Sequence, residues 1–202
     1  MTNPFLRAWI LMLSLGAAED PGFTRLRQSA EPLSTLGVFL DKYIGECHQA
    51  IGSECKNQAA RFRSQSNGKS FVLTLSDEAV NMVSLGPYQS SQKSFEVRIT
   101  PFFGAGGYAL TQGSPRKTDN QGNPLLPLLV AHARLGEQSS PERFQRLFSN
   151  HQLRLELVFQ PHGVWNVPSK RGGKTLGVSA RLQGIQMVES RSGELVAIWL
   201  GR

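Results

Sequence analysis

At Gly68 the spacing of the apolar residues changes period, and that switch commits the chain to helices first and mainly strands after. Before it, Leu36, Phe39, Leu40, Tyr43 and Ile44 recur every three or four residues, which is the period of one helix face. Ser34 can accept from the free amides at the start of that segment. A helix is therefore predicted from about Thr35 to Cys47, weakened in its last turn by Gly45. A second is predicted over Glu54–Arg63, with Ala59, Ala60 and Phe62 inward. Beyond Gly68 the period drops to two. Phe71, Leu73 and Leu75 alternate with Val72 and Thr74, Phe95, Val97 and Ile99 with Glu96, Arg98 and Thr100, and Leu153, Leu155 and Leu157 with Arg154 and Glu156. Val178–Ser190 and Glu194–Leu200 flank the turn sequence Arg191-Ser192-Gly193. Shorter strands are predicted at Asn81–Leu85, Tyr108–Thr111, Leu126–Leu135 and Val164–Val167. One later helix, Pro141–Phe148, opens on proline and groups Phe144, Leu147 and Phe148 on one face.

This order predicts an α+β domain in which N-terminal helices precede a mostly antiparallel, twisted β-sheet, either open or partly closed into a barrel. The chain has 202 residues, enough for one such domain. An outer-membrane barrel is disfavoured, because strand faces carry charges and no even series of ten-residue strands appears.

Residues 1–18 stand outside that domain. A short start with one positive charge, Arg7, leads into the small and apolar run Ala8–Ala18, and Glu19, Asp20 and Pro21 end it abruptly. This is the layout of a secretory signal, with Gly16 and Ala18 as the small residues before cleavage. About eleven apolar residues rise only ~17 Å as a helix, against a hydrocarbon core of ~30 Å, which disfavours an anchor. The expected mature chain is a single domain over residues 19–202, periplasmic or extracellular, with no transmembrane span.

Export would place Cys47 and Cys55 in an oxidising compartment, where they are expected to form a disulfide. Residues eight apart on one unbroken helix lie ~12 Å apart, beyond the ~7 Å limit for a bridge. The pairing therefore needs a chain reversal, for which Gly52 is placed. The rival reading, a redox or metal site using Cys47, His48 and Cys55, matches no C-x-x-C spacing.

Motifs that would fix a reaction are missing: no nucleophile elbow, phosphate loop, zinc-helix pair or paired-cysteine ligand set occurs. Nothing calls for a cofactor or a metal. His48, His132, His151 and His162 are scattered. Gly104-Ala105-Gly106-Gly107 lacks the following helix that an anion cradle needs, and reads as a wide turn. Asp119-Asn120-Gln121-Gly122-Asn123 has oxygen ligands, but its glycine falls at the fourth position instead of the sixth and Val130 stands where a calcium loop has its final glutamate. It lies within Gly113–Pro127, the longest stretch without a packing pattern, and long ordered loops often carry binding. Arg116, Lys117, Asp119 and Asn123 are accordingly the candidate ligand-binding residues.

The formal charge is +7, from 22 basic and 15 acidic side chains. Arg25 with Arg27, Arg61 with Arg63, Arg116 with Lys117, and Lys170-Arg171 with Lys174 form small clusters without interleaved aromatics. The last of these is an expected hairpin tip between Val167 and Leu176. Scattered clusters and export both argue against nucleic acid as a partner. An anionic envelope polymer, a lipid headgroup or an envelope protein fits better.

The mature chain resembles, over nearly its whole length, a group of exported bacterial proteins defined only as a domain of unknown function. Leu36–Cys47, Thr100–Gly113, Thr118–Leu129, Leu157–Pro168 and Gly177–Ala197 carry the resemblance. It brings no catalytic or binding residue with it. Two functional expectations follow. The first is a non-enzymatic binding or structural domain of the cell envelope. The second is a hydrolase or transferase, for which two of Glu96, Asp119, Glu156 and Glu189 would have to face one cleft. Trp165, flanked by Val164 and Val167, is expected to be a core anchor in place of an exposed ligand platform.

Overall fold

The structure, a computed structural model, describes residues 20–45, 52–75, 82–99, 108–122, 125–168 and 174–201. The expected signal segment, Cys47, His48, the glycine run 104–107, Asn123, Lys170 and Arg171 lie outside the described residues.

The first element is a helix the periodicity did not reveal. Asp20 accepts with Oδ1 from the amides of Gly22 (2.7 Å) and Phe23 (3.0 Å), Pro21 sits at the first position, and α1 runs over Pro21–Gln28. The two-residue strand β1 (Glu31–Pro32) follows. Helix α2 (Leu36–Ile44) is capped by Thr35, one residue later than the expected Ser34. Gly45 ends it instead of merely weakening its last turn, because it adopts the left-handed conformation at φ 75° and its amide returns to the Asp41 carbonyl. Its missing side chain also matters, since a Cβ there would lie 2.3 Å from that of Ala59 on α3 (Gly52–Ser66). Arg63 of α3 donates to the Tyr43 carbonyl at 2.7 Å, tying the two helices together. Ala59 is buried as expected, Phe62 packs against the core, and Ala60 instead faces solvent.

The strands are β2 (Phe71–Leu75), β3 (Val83–Gln89), β4 (Ser94–Ile99), β5 (Ala109–Thr111), β6 (Leu129–Leu135), β7 (Leu153–Pro168), β8 (Lys174–Glu189) and β9 (Leu195–Leu200). Helix α4 (Pro141–Ser149) precedes β7, with Ser140 capping it. The described strands form one mixed, mostly antiparallel sheet, ordered β1-β2-β7-β8-β9-β6-β4-β3. Among the described strands, the β1–β2 and β5–β8 pairs are parallel and the others antiparallel. The sheet is not closed into a barrel, which settles the choice left open by the sequence. Its spine is the hairpin of β7 and β8, sixteen residues each; β7 joins what were expected as separate strands at Leu153–Leu157 and Val164–Val167, and β8 begins four residues before the expected Val178–Ser190. Register shifts at Val158/Phe159 and Pro161/Gly163 bend the hairpin. One edge of β8 is consequently shared, β5 pairing with its first half and β9 with its second.

Alternation sends side chains to two cores. Phe71, Leu73, Leu155, Leu157, Phe159, Ile185 and Met187 meet Phe39, Leu40 and Tyr43 of α2 and Phe144 of α4 in the larger one. On the opposite face Val72, Val158 and Ile198 pack beneath Phe23 of α1. Residue Gly184 lets that helix come close: a Cβ there would lie 2.7 Å from Leu26 and 3.3 Å from Phe23. Among the described residues no helix is long and apolar enough to cross a membrane.

Candidate functional site

The loop 113–127 is closed at its base by Gln112 N–H donating to Pro127 O (3.0 Å) and higher up by Leu125 N–H donating to Lys117 O (2.8 Å). Arg116 and Lys117 are exposed on it. Asp119 holds its own turn, since Oδ1 accepts from Gln121 N–H at 2.8 Å. These three are therefore brought near one another by the chain, and they shape a polar turn at the surface.

The carboxylates singled out in the sequence are distributed differently. Glu96 is paired with Arg98 on the same strand. Glu156 lies buried beneath α1, with Arg27 at 3.5 Å and Arg154 at 3.6 Å. Glu189 does meet a second carboxylate, Glu194, which the sequence reading did not select. The turn Arg191-Ser192-Gly193 closes with Gly193 N–H on Glu189 O and Glu189 N–H on Glu194 O, so the two face one another across the hairpin. Between them stands Arg143 of α4. It donates to both oxygens of Glu194 (2.6 and 2.8 Å) and to Glu189 Oε2 (2.9 Å), which also accepts from Ser192 Oγ (2.9 Å). Spacing on either element alone could not announce this clamp.

Electrostatics gives the clamp a structural role. The hydrogen bonds from Arg143 hold the Glu194 carboxyl below its ordinary value of 4.5, and the same bonds hold Arg143 more firmly protonated. An acid kept ionised in this way is poorly suited to donate a proton at neutral pH. Because the folded-state pKa is depressed, the contribution is present above pH 4.5 and is lost as pH falls through the lower folded value. Melting temperatures of the wild type and Glu194→Gln should thus differ at pH 7 and converge as the pH is taken progressively below 4.5, as measured by circular dichroism. A gap that stays constant across that range would remove the clamp from the pH response.

His132, His151 and His162 are exposed and separate, and no group of three metal-ligating side chains occurs among the described residues. Trp165 is buried, and its indole N–H donates to Thr111 Oγ1 at 2.8 Å. The helical basic pairs split. Arg27 serves Glu156 and Arg63 serves the Tyr43 carbonyl, while Arg25 and Arg61 remain at the surface.

Two recesses stand out among the described residues. A wide groove of about 580 Å³ lies between α2 and α3, lined by Asp41, Lys42, Gln58, Arg61 and Gln65. A cleft of about 320 Å³ lies where the start of α1 meets β8 and the end of β9, lined by Gly22, Leu26, Arg181, Gln183, Leu200 and Gly201. The sequence reading missed this cleft. Gln183 occupies a bulge, since Leu182 pairs with Phe159 and Gly184 with Val158, leaving the residue between them without a partner strand position. Its Oε1 is buried and has no hydrogen-bond donor among the described residues, a deficit that ordinarily costs about 1–3 kcal/mol.

The fold and these sites define an α+β domain built on one open mixed sheet, with helices on both faces and arginine-held carboxylates. The chain belongs to a family of unknown function, DUF6066, which matches residues 3–202. No curated protein and no solved structure matches it.

Proposed function

We propose that this protein is exported, is cleaved near Ala18, and serves as a non-enzymatic domain that binds an anionic component of the cell envelope. The observation that carries the reading is where its charges are used. The strand carboxylates Glu96, Glu156 and Glu189 are each held by arginine, while Arg25, Arg61, Arg116 and Lys117 stand at the surface of a chain with a formal charge of +7. Pairing of Cys47 with Cys55 belongs to the same reading. Cys55 Sγ lies 3.8 Å from the carbonyl oxygen of Gly45, and two further residues span at most ~7 Å to reach Cys47.

The test is expression of the full chain in a bacterial host, followed by fractionation, N-terminal sequencing and non-reducing peptide mapping. The purified protein is then incubated with isolated envelope material, and what it retains is identified by mass spectrometry. Mature protein beginning near Glu19, a Cys47–Cys55 cross-linked peptide and retention that high salt or Arg116→Glu with Lys117→Glu reduces several-fold are expected. Uncleaved protein or two free thiols would overturn the export reading. Turnover of the envelope material would favour a hydrolase or transferase instead.

A further inference from the structure

The cleft between α1, β8 and β9 combines three features that converge on one ligand chemistry. Its charge comes from Arg181, whose Nη2 donates to the neutral Gln160 Oε1 at 3.1 Å and which forms no ion pair among the described residues. The nearby acid, Asp20, is engaged by the Gly22 and Phe23 amides. An acceptor is supplied by Gln183, two residues along the chain from Arg181 and lining the same cleft, with a buried oxygen lacking a donor among the described residues. Apolar walls come from Leu26 and Leu200, the latter 40% exposed.

The geometry is fixed by the backbone. Gly201 N–H donates to the Gln183 carbonyl at 2.7 Å, which pins the end of β9 to the bulge. A Cβ on Gly22 would lie 2.7 Å from Leu200 Cδ1, so glycine there lets the helix start reach the strand end. Bulges commonly re-aim a side chain beside a binding site. About 320 Å³ is the lower end of small-molecule pockets.

We propose that this cleft binds an aliphatic amino-acid residue bearing a free carboxylate and an acylated amine. The carboxylate pairs with Arg181, the amide N–H donates to Gln183 Oε1, and the side chain lies between Leu26 and Leu200. Such a group is either the C-terminal residue of a peptide or a free N-acyl amino acid. The inference rests on the binding reading above and gives it a site.

Nuclear magnetic resonance titration of the full mature chain tests it, with N-acetyl-leucine as probe, N-acetyl-leucinamide lacking the charge, and 4-methylpentanoate lacking the N–H. Saturable shifts at Gly22 and Gly201 are expected with N-acetyl-leucine, and about tenfold weaker binding for each control. Arg181→Gln should weaken N-acetyl-leucine about tenfold while leaving the melting temperature unchanged. Tighter binding of a tetrapeptide ending in leucine would identify peptide C-termini as the source, and weaker binding the free acyl amino acid. Equal binding of acid and amide, shifts elsewhere, or no saturation would overturn the proposal. Envelope retention that persists in any of those cases would leave the broader reading standing without this cleft.

Discussion

Replacing Trp165 by alanine is expected to destabilise the domain by about 3–5 kcal/mol, a large part of the ~5–15 kcal/mol that holds a domain of this size. The ring is only 5% exposed and lies over its cross-strand neighbour Gly177. A Cβ on Gly177 would sit 2.2 Å from Trp165 Cζ2 and 2.6 Å from the Ala109 carbonyl oxygen, so the indole fills the place a side chain would take. Its N–H donates to Thr111 Oγ1, which in turn donates to Gly113 O at 2.7 Å. One side chain thereby joins the far half of the β7–β8 hairpin to β5 and the base of the loop 113–127. Trp165→Phe keeps most of the buried area but removes the indole donor, and should cost about 1–3 kcal/mol. Urea denaturation of the three proteins measures both differences. An alanine variant within about 0.5 kcal/mol of wild type, the range of ordinary surface changes, would contradict the anchor role.

Phe39→Ala is expected to have a comparable effect, about 3–5 kcal/mol. Phe39 is the hub of the aromatic cluster, with ring centroids 4.9 Å from Phe71, 5.4 Å from Tyr43, 5.6 Å from Phe159 and 5.9 Å from Phe62. Those partners come from α2, α3 and two strands, so truncation opens a cavity where two helices meet the sheet. Edge-to-face pairs such as that with Phe159 add to the area term. The neighbouring Val38 is 46% exposed, and Val38→Ala should change stability by no more than about 0.5 kcal/mol. Denaturation midpoints of the pair decide the matter. Equal losses at the two positions would mean that α2 is not seated on the sheet by this face.

That contrast between adjacent residues was legible in the sequence, because helical period places Phe39 inward and Val38 outward from local spacing alone. The alternation of Phe95–Ile99 was legible for the same reason, whereas in Phe71–Leu75 the alternate residue Val72 is also buried, because α1 covers that face. Helix α1 was not. It buries only Phe23 completely, and its support comes from the Asp20 cap and from Gly184, 161 residues beyond Phe23. The sixteen-residue β7 was also hidden, since alternation shows only around Leu153–Leu157 and Val164–Val167; in the structure a register shift at Pro161/Gly163 carries the strand across the stretch between them.

The candidate sites divide along the same line. Sequence placed Arg116, Lys117 and Asp119 together because a single loop carries them. It could not place Glu194 with Arg143, or Arg181 and Gln183 beside Leu26 and Leu200, because those meetings depend on how a hairpin, a helix and a strand end are packed. Spacing and composition were enough for α2, α3, α4, the core-facing residues of the alternating strands and the basic balance. Only tertiary structure decided which charges cancel and where a cleft opens, since both depend on distances between residues far apart in the chain.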